Sequence, residues 1–99
     1  RTMEGRKDKR TPRAFRVLLS SGAQPIVAEY GATENVSSYG VRVRTDRPWK
    51  PDTRVLVKSW QGDLWARARV VYCQTLQSRN FALGLEFLAH TGNWLAPAA

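Results

Sequence analysis

Two short stretches hold most of the residues able to do chemistry. The first is "KRTPR" at 9–13, with Lys9 and Arg13 four apart, Arg10 between them and Pro12 just before Arg13. Arg6 and Arg10 make a second pair at the same spacing, three residues further out. Clustered ammonium and guanidinium groups seek an anion: a nucleotide, a nucleic acid or an acidic surface. The second stretch is "NVSSYG" at 35–40, which packs Asn35, Ser37, Ser38 and Gly40 into a polar corner. Asn and Ser side chains bond their own backbone in turns, and Gly tolerates positive φ, so a plain turn is the simplest reading of this stretch alone. "GVRVR" then leaves the corner with strict alternation, placing Arg42 and Arg44 together on one face as a solvated charged surface or an extension of an anion site.

The elements that must position these groups come from a chain of 99 residues, enough for one domain with a thin core at 42% hydrophobic content. The formal charge is +8, and its placement is uneven: residues 1–16 hold seven bases against two acids. No apolar run follows the N-terminal charges, so no secretory signal is expected, and no run is long enough to span a membrane. A single cysteine, Cys73, cannot form an internal disulfide and is expected to act as a small core side chain. The single histidine, His90, has no metal-ligating neighbour at suitable spacing. The acids are few and scattered, which argues against paired-carboxylate or nucleophile–base catalysis; the chain is not expected to be an enzyme. Together these features suit a reducing, cytoplasmic setting.

The apolar pattern is all-β. Strands are expected at 15–19, 26–36 (with a kink at Gly31), 40–44, 54–60, 65–74 and 80–89. Gly62-Asp63 suits a two-residue hairpin turn, which would set Trp60 opposite Trp65 and Lys58 opposite Arg67. That hairpin turns Val55, Val57, Ser59, Leu64, Ala66, Ala68 and Val70 inward, and Arg54, Lys58, Arg67 and Arg69 outward. The expected fold is a small six-stranded antiparallel β-barrel over 15–90. A basic, flexible arm precedes it at 1–14, and a tail at 91–99 carries one helical turn that plugs a barrel end with Trp94.

The ordered set "KRTPR", "NVSSYG" and "LGLEF" (83–87) resembles the PilZ domain, a bacterial receptor for cyclic di-GMP. The family's signatures are R-x-x-x-R, then [D/N]-x-S-x-x-G, then a final strand close to G-[V/L]-E-F. Asn35, Ser37 and Gly40 match every fixed position of the second signature, and Pro12-Arg13 matches the usual proline before the second arginine. Counting back four from Arg13 reaches Lys9, where the family has arginine; Arg6 and Arg10 offer a strict match in a displaced register.

The resemblance implies a ligand with two phosphates and two guanines. A guanidinium fork grips guanine O6 and N7 together, for about 1–3 kcal/mol of discrimination. Lysine keeps the charge and lacks the fork. The implied ligand residues are Lys9, Arg10, Arg13, Asn35, Ser37 and Gly40, with Arg6, Ser38 and Arg42 as further contacts. Asn35 would meet the guanine N1–H/N2–H edge, Ser37 would offer its hydroxyl to ligand or turn, and Gly40 would allow close approach. No cofactor is implied beyond this ligand, and a protein partner or fused domain would receive the signal. Two other functions fit the same fold: a protein adaptor that has lost the nucleotide, prompted by Lys9, and a nucleic-acid-binding barrel, prompted by the net charge and four tryptophans.

Overall fold

Seven strands run in sequence through the computed structural model, which describes residues 11–22 and 26–95. They are β1 (Thr11–Pro12), β2 (Arg16–Ser21), β3 (Ala28–Val36), β4 (Gly40–Thr45), β5 (Arg54–Ser59), β6 (Trp65–Thr75) and β7 (Phe81–Thr91). Six of them close in the order β3-β2-β5-β6-β7-β4 and back to β3, all antiparallel. The expected six-stranded barrel is therefore present; β1 is a two-residue addition to β3 beside β2. Closure leaves no free edge among the six, which disposes of unpaired backbone groups.

The wall alternates because each strand has one apolar face. Val17, Leu19, Val41, Val43, Val55, Val57, Val70, Leu83 and Leu85 point inward and are buried. Branched side chains dominate, as a pleated, tightly packed surface favours. Trp49 and Trp94 join this core from outside the strands. Trp49 lies in the proline-containing connection after β4, which the sequence reading treats only as loop. Its indole N–H donates to Glu29 at 3.0 Å, and the same carboxylate accepts the backbone N–H groups of Asp46 and Arg47. Trp94 packs against Phe15 and Phe87, with ring centroids 5.9 and 5.1 Å away. It sits on a turn; the described residues contain no helix, and residues 96–99 of the expected helical tail lie outside them.

Two details of register depart from expectation. The bend in β3 is a bulge at Glu34, not a kink at Gly31: Thr33 faces Val43 while Asn35 faces Arg42. The extra residue resets the alternation, so Thr33 and Val36 are both buried, with Glu34 and Asn35 between them. The β5–β6 hairpin is also wider than a two-residue turn. Lys58 pairs with Trp65 and Leu56 with Arg67, two residues away from the expected register. Ser59 is the cause: its hydroxyl donates to Asp63 at 2.8 Å and accepts the Leu64 N–H at 3.1 Å, closing a loop over 60–63 with Gly62 at φ 82°. A two-residue offset keeps every side chain on its expected face. Trp60 is freed from Trp65; its N–H donates to the Arg16 carbonyl at 2.8 Å and its ring meets Tyr30 edge-on.

Candidate functional site

The barrel topology brings the end of the arm to the polar corner. β1 pairs with the last residues of β3, setting Thr11 opposite Val36 and Pro12 opposite Asn35. The Arg13 N–H continues the ladder to the Glu34 carbonyl at 3.3 Å. Between β1 and β2 the ladder breaks, and Thr33 bridges the break. Its buried hydroxyl donates to the Arg13 carbonyl at 2.6 Å and accepts the Phe15 N–H at 2.9 Å, while its own N–H donates to the Phe15 carbonyl. The Arg13 guanidinium is aimed by two further contacts. One nitrogen donates to the Trp94 carbonyl at 2.9 Å, and the cation lies 5.5 Å from the Phe15 ring centre. Arg13 and Asn35 thus stand on adjacent paired segments. Lys9, Arg10 and Arg6 lie outside the described residues.

The corner itself is a tight connection between β3 and β4. The Ser37 N–H donates to the Gly40 carbonyl at 2.9 Å. The Ser37 hydroxyl accepts the N–H groups of Tyr39 and Gly40 at 3.1 and 3.2 Å. Ser37 is only 1% exposed, so of the two uses the sequence allowed its hydroxyl, it serves the turn. Gly40 is buried, and a Cβ there would overlap the Leu85 carbonyl oxygen on β7. The close approach that glycine permits is therefore between two strands. Ser38 and Tyr39 are exposed at the tip, and the Tyr39 carbonyl accepts the Phe87 N–H at 2.8 Å.

An ion-paired cluster flanks the corner. The bulge turns Glu34 toward β4, where Arg42 donates to one carboxylate oxygen at 2.8 Å and Arg44 donates twice to the other. Arg42 also donates to the Tyr72 hydroxyl at 2.9 Å and to Gln74 at 3.2 Å. The hydrogen bond from Arg42 chiefly holds the Glu34 carboxyl below its ordinary value, with Arg44 adding to it against partial burial. The same bond raises Arg42. The Tyr72 ring covers Gly84 so closely that a Cβ at Gly84 would collide with it. Gly84 of "LGLEF" is thus required to seat the ring that supports Arg42. Sequence reasoning identified Arg42 and missed Thr33, Glu34 and Tyr72. A lone acid beside a basic corner was the available sign for Glu34; nothing in the sequence marks the Thr33 hydroxyl.

The described end of the arm, the corner and the closing strand are joined through the pairings of β1 with β3, β3 with β4 and β4 with β7. The family model for the PilZ domain matches residues 4–93. The chain belongs to the PilZ domain family. That match takes in the arm from residue 4, all seven strands and the two residues after β7. Compared with curated proteins, this PilZ domain has no match. PilZ domains are ligand-binding receptors for cyclic di-GMP rather than enzymes. Among the described residues no helix is long and apolar enough to cross a membrane.

Proposed function

We propose that this PilZ domain is a cytoplasmic, bacterial receptor for cyclic di-GMP that signals by ordering its N-terminal arm over the ligand. The observation that supports the reading is the β1–β3 pairing, which sets Pro12 opposite Asn35 and bonds the Arg13 N–H to the Glu34 carbonyl, so that the described end of the arm lies against the polar corner. In this reading Arg13 and Arg10 or Lys9 hold the phosphates and a guanine O6/N7 edge. Asn35 accepts from the guanine N1–H/N2–H edge. Ser37 and Gly40 build the corner on which the ligand rests, and Ser38 and Tyr39 stand exposed at its tip. Arg42 contributes by holding the corner's flank, since its guanidinium is already paired with Glu34, a carboxylate it shares with Arg44. Arg6 replaces Lys9 if the strict arginine pair sets the register.

Charge-assisted bonds to phosphate contribute roughly 1.5–3 kcal/mol each. Ordering the arm costs about 1–2 kcal/mol per residue of backbone entropy. The balance of the two points to micromolar affinity. Calorimetry with the purified chain tests this: cyclic di-GMP should release heat and saturate in the micromolar range. Absence of heat well above that range would leave the adaptor function, in which the Lys9 substitution has removed nucleotide binding.

A further inference from the structure

On the outer wall, cations differ sharply in how they are satisfied. Arg42, Arg44 and Arg69 are ion-paired to Glu34, Glu34 and Glu86. Arg16, Arg54, Lys58 and Arg67 are exposed and carry no ion pair among the described residues. These four stand on the outward side of the neighbouring strands β2, β5 and β6. Acids around this face are committed elsewhere: Glu29 to the Trp49 connection, Asp63 to Ser59, and Asp52 and Glu86 to Arg69.

Apolar side chains fill the space between these cations. Register places Tyr30, Leu18, Lys58 and Trp65 in one row across β3, β2, β5 and β6. Leu56 lies in the next row beside Arg67, and Trp60 closes the other side. Tyr30 is 56% exposed and Trp60 63%, large fractions for side chains that are costly to leave in water. Trp60 is held rather than loose: Arg16 lies 5.4 Å from its ring centre and Tyr30 meets it at 5.8 Å. Arg16 and Tyr30 also border an open depression of about 310 Å³ that runs to Arg44 and Asp46.

An apolar centre rich in Trp and Tyr, bordered by unpaired cations, has the composition of a protein-binding patch. We infer that the outer face of β2, β5 and β6, with Tyr30, docks an acidic protein segment whose apolar side chains seat between Trp60, Leu18 and Leu56 and whose carboxylates meet Lys58, Arg67 and Arg16. Charge complementarity selects the partner: the chain's own +8 opposes a second copy. A single-stranded nucleic acid would need open ring faces for base stacking, whereas Trp60 is already engaged by Arg16 and Tyr30, and Leu18 and Leu56 offer a base no stacking surface. The surface goes beyond nucleotide recognition and does not depend on it. It is nevertheless joined to the arm, because the Trp60 N–H bonds the carbonyl of Arg16, three residues after Arg13.

The test uses the full chain, isotopically labelled, with three probes. These are a synthetic amphipathic peptide with leucines on one face bordered by glutamates, the same peptide with glutamine for glutamate, and oligothymidylate. The glutamate peptide should saturate amide shifts at Leu18, Tyr30, Lys58, Trp60 and Trp65, and the glutamine peptide should bind more weakly. W60A should weaken the peptide by about 30-fold, as loss of an interface anchor does. The surface charge reversals K58E and R67E, which disturb no core contact, should weaken it as well. Cyclic di-GMP affinity should stay unchanged in all three variants. No saturable shift, shifts on another face, or tighter and length-dependent binding of oligothymidylate would overturn the inference. If the peptide binds and cyclic di-GMP does not, the receptor reading falls alone; if the nucleotide binds and the peptide does not, this inference falls alone.

Discussion

Arg13 joins the arm to the barrel, and its contacts define what its removal does. Its backbone is fixed by Thr33 and Glu34, so Arg13→Ala keeps the strand path and loses the guanidinium. Cyclic di-GMP affinity should fall about ten-fold or more, the equivalent of one charged bond of roughly 1.5–3 kcal/mol. Asn35→Ala should cost less. A titration in which Arg6→Ala is the severe change would place the arm in the displaced register. Glu34 gives a second prediction at this scale. Its folded carboxyl lies below the ordinary value near 4.5, so the ion-paired cluster stabilises the fold fully above that value. The contribution is lost as pH falls through the lower folded value. Melting temperature measured against pH should show E34Q less stable than the native chain near neutrality, with the gap closing in acid. A gap constant with pH would show that the carboxylate charge contributes nothing. Arg13 and Asn35 stand out in the sequence as candidates because their residue types and spacing are the signature itself. Glu34 does not, because its task depends on a bulge that moves it onto the face of Arg42 and Arg44.

At the scale of elements, alternation told which faces turn inward and could not tell how strands slide. Strand faces repeat every two residues, so the expected and observed β5–β6 registers bury the same side chains. The bonds of Ser59 to Asp63 and Leu64 hold the observed one, and a serine before a Gly-Asp turn carries no sign of that choice. The "NVSSYG" corner shows the converse, since its turn was legible and its packing was not. Ser37 is spent on the turn, and Gly40 on the approach of β4 to β7. Gly40→Ala should therefore be a folding variant before it is a binding variant. The added methyl meets backbone on β7, which cannot rotate away, and overpacking of this kind costs about 1–3 kcal/mol or more. Urea unfolding should show a lowered midpoint, and the fraction that remains folded should retain most of its affinity. An unchanged midpoint with lost affinity would return Gly40 to direct ligand contact.

For the whole molecule, the two tryptophans outside the strands decide how a barrel with a thin core is closed. Six strands enclose mostly valine, alanine and leucine, and β3 has one large ring near each of its ends. Trp94 was foreseen as a plug, though on a helical turn, where the structure has a plain turn. Trp49 was not, because prolines on both sides mark its segment as loop and hide its burial. The two differ in one respect that can be measured. The Trp49 indole N–H is bonded to the Glu29 carboxylate, while the Trp94 N–H is buried with no partner among the described residues. Replacing each by phenylalanine removes a similar volume. W49F additionally loses a charge-assisted bond of roughly 1.5–3 kcal/mol, whereas W94F loses none and removes a donor that is costly to bury unpaired. Urea midpoints should therefore rank W94F above W49F. The reverse order would mean that the fit of the Trp94 ring between Phe15 and Phe87 outweighs the Trp49–Glu29 bond, and that the arm-side end of the barrel is the one that sets its stability.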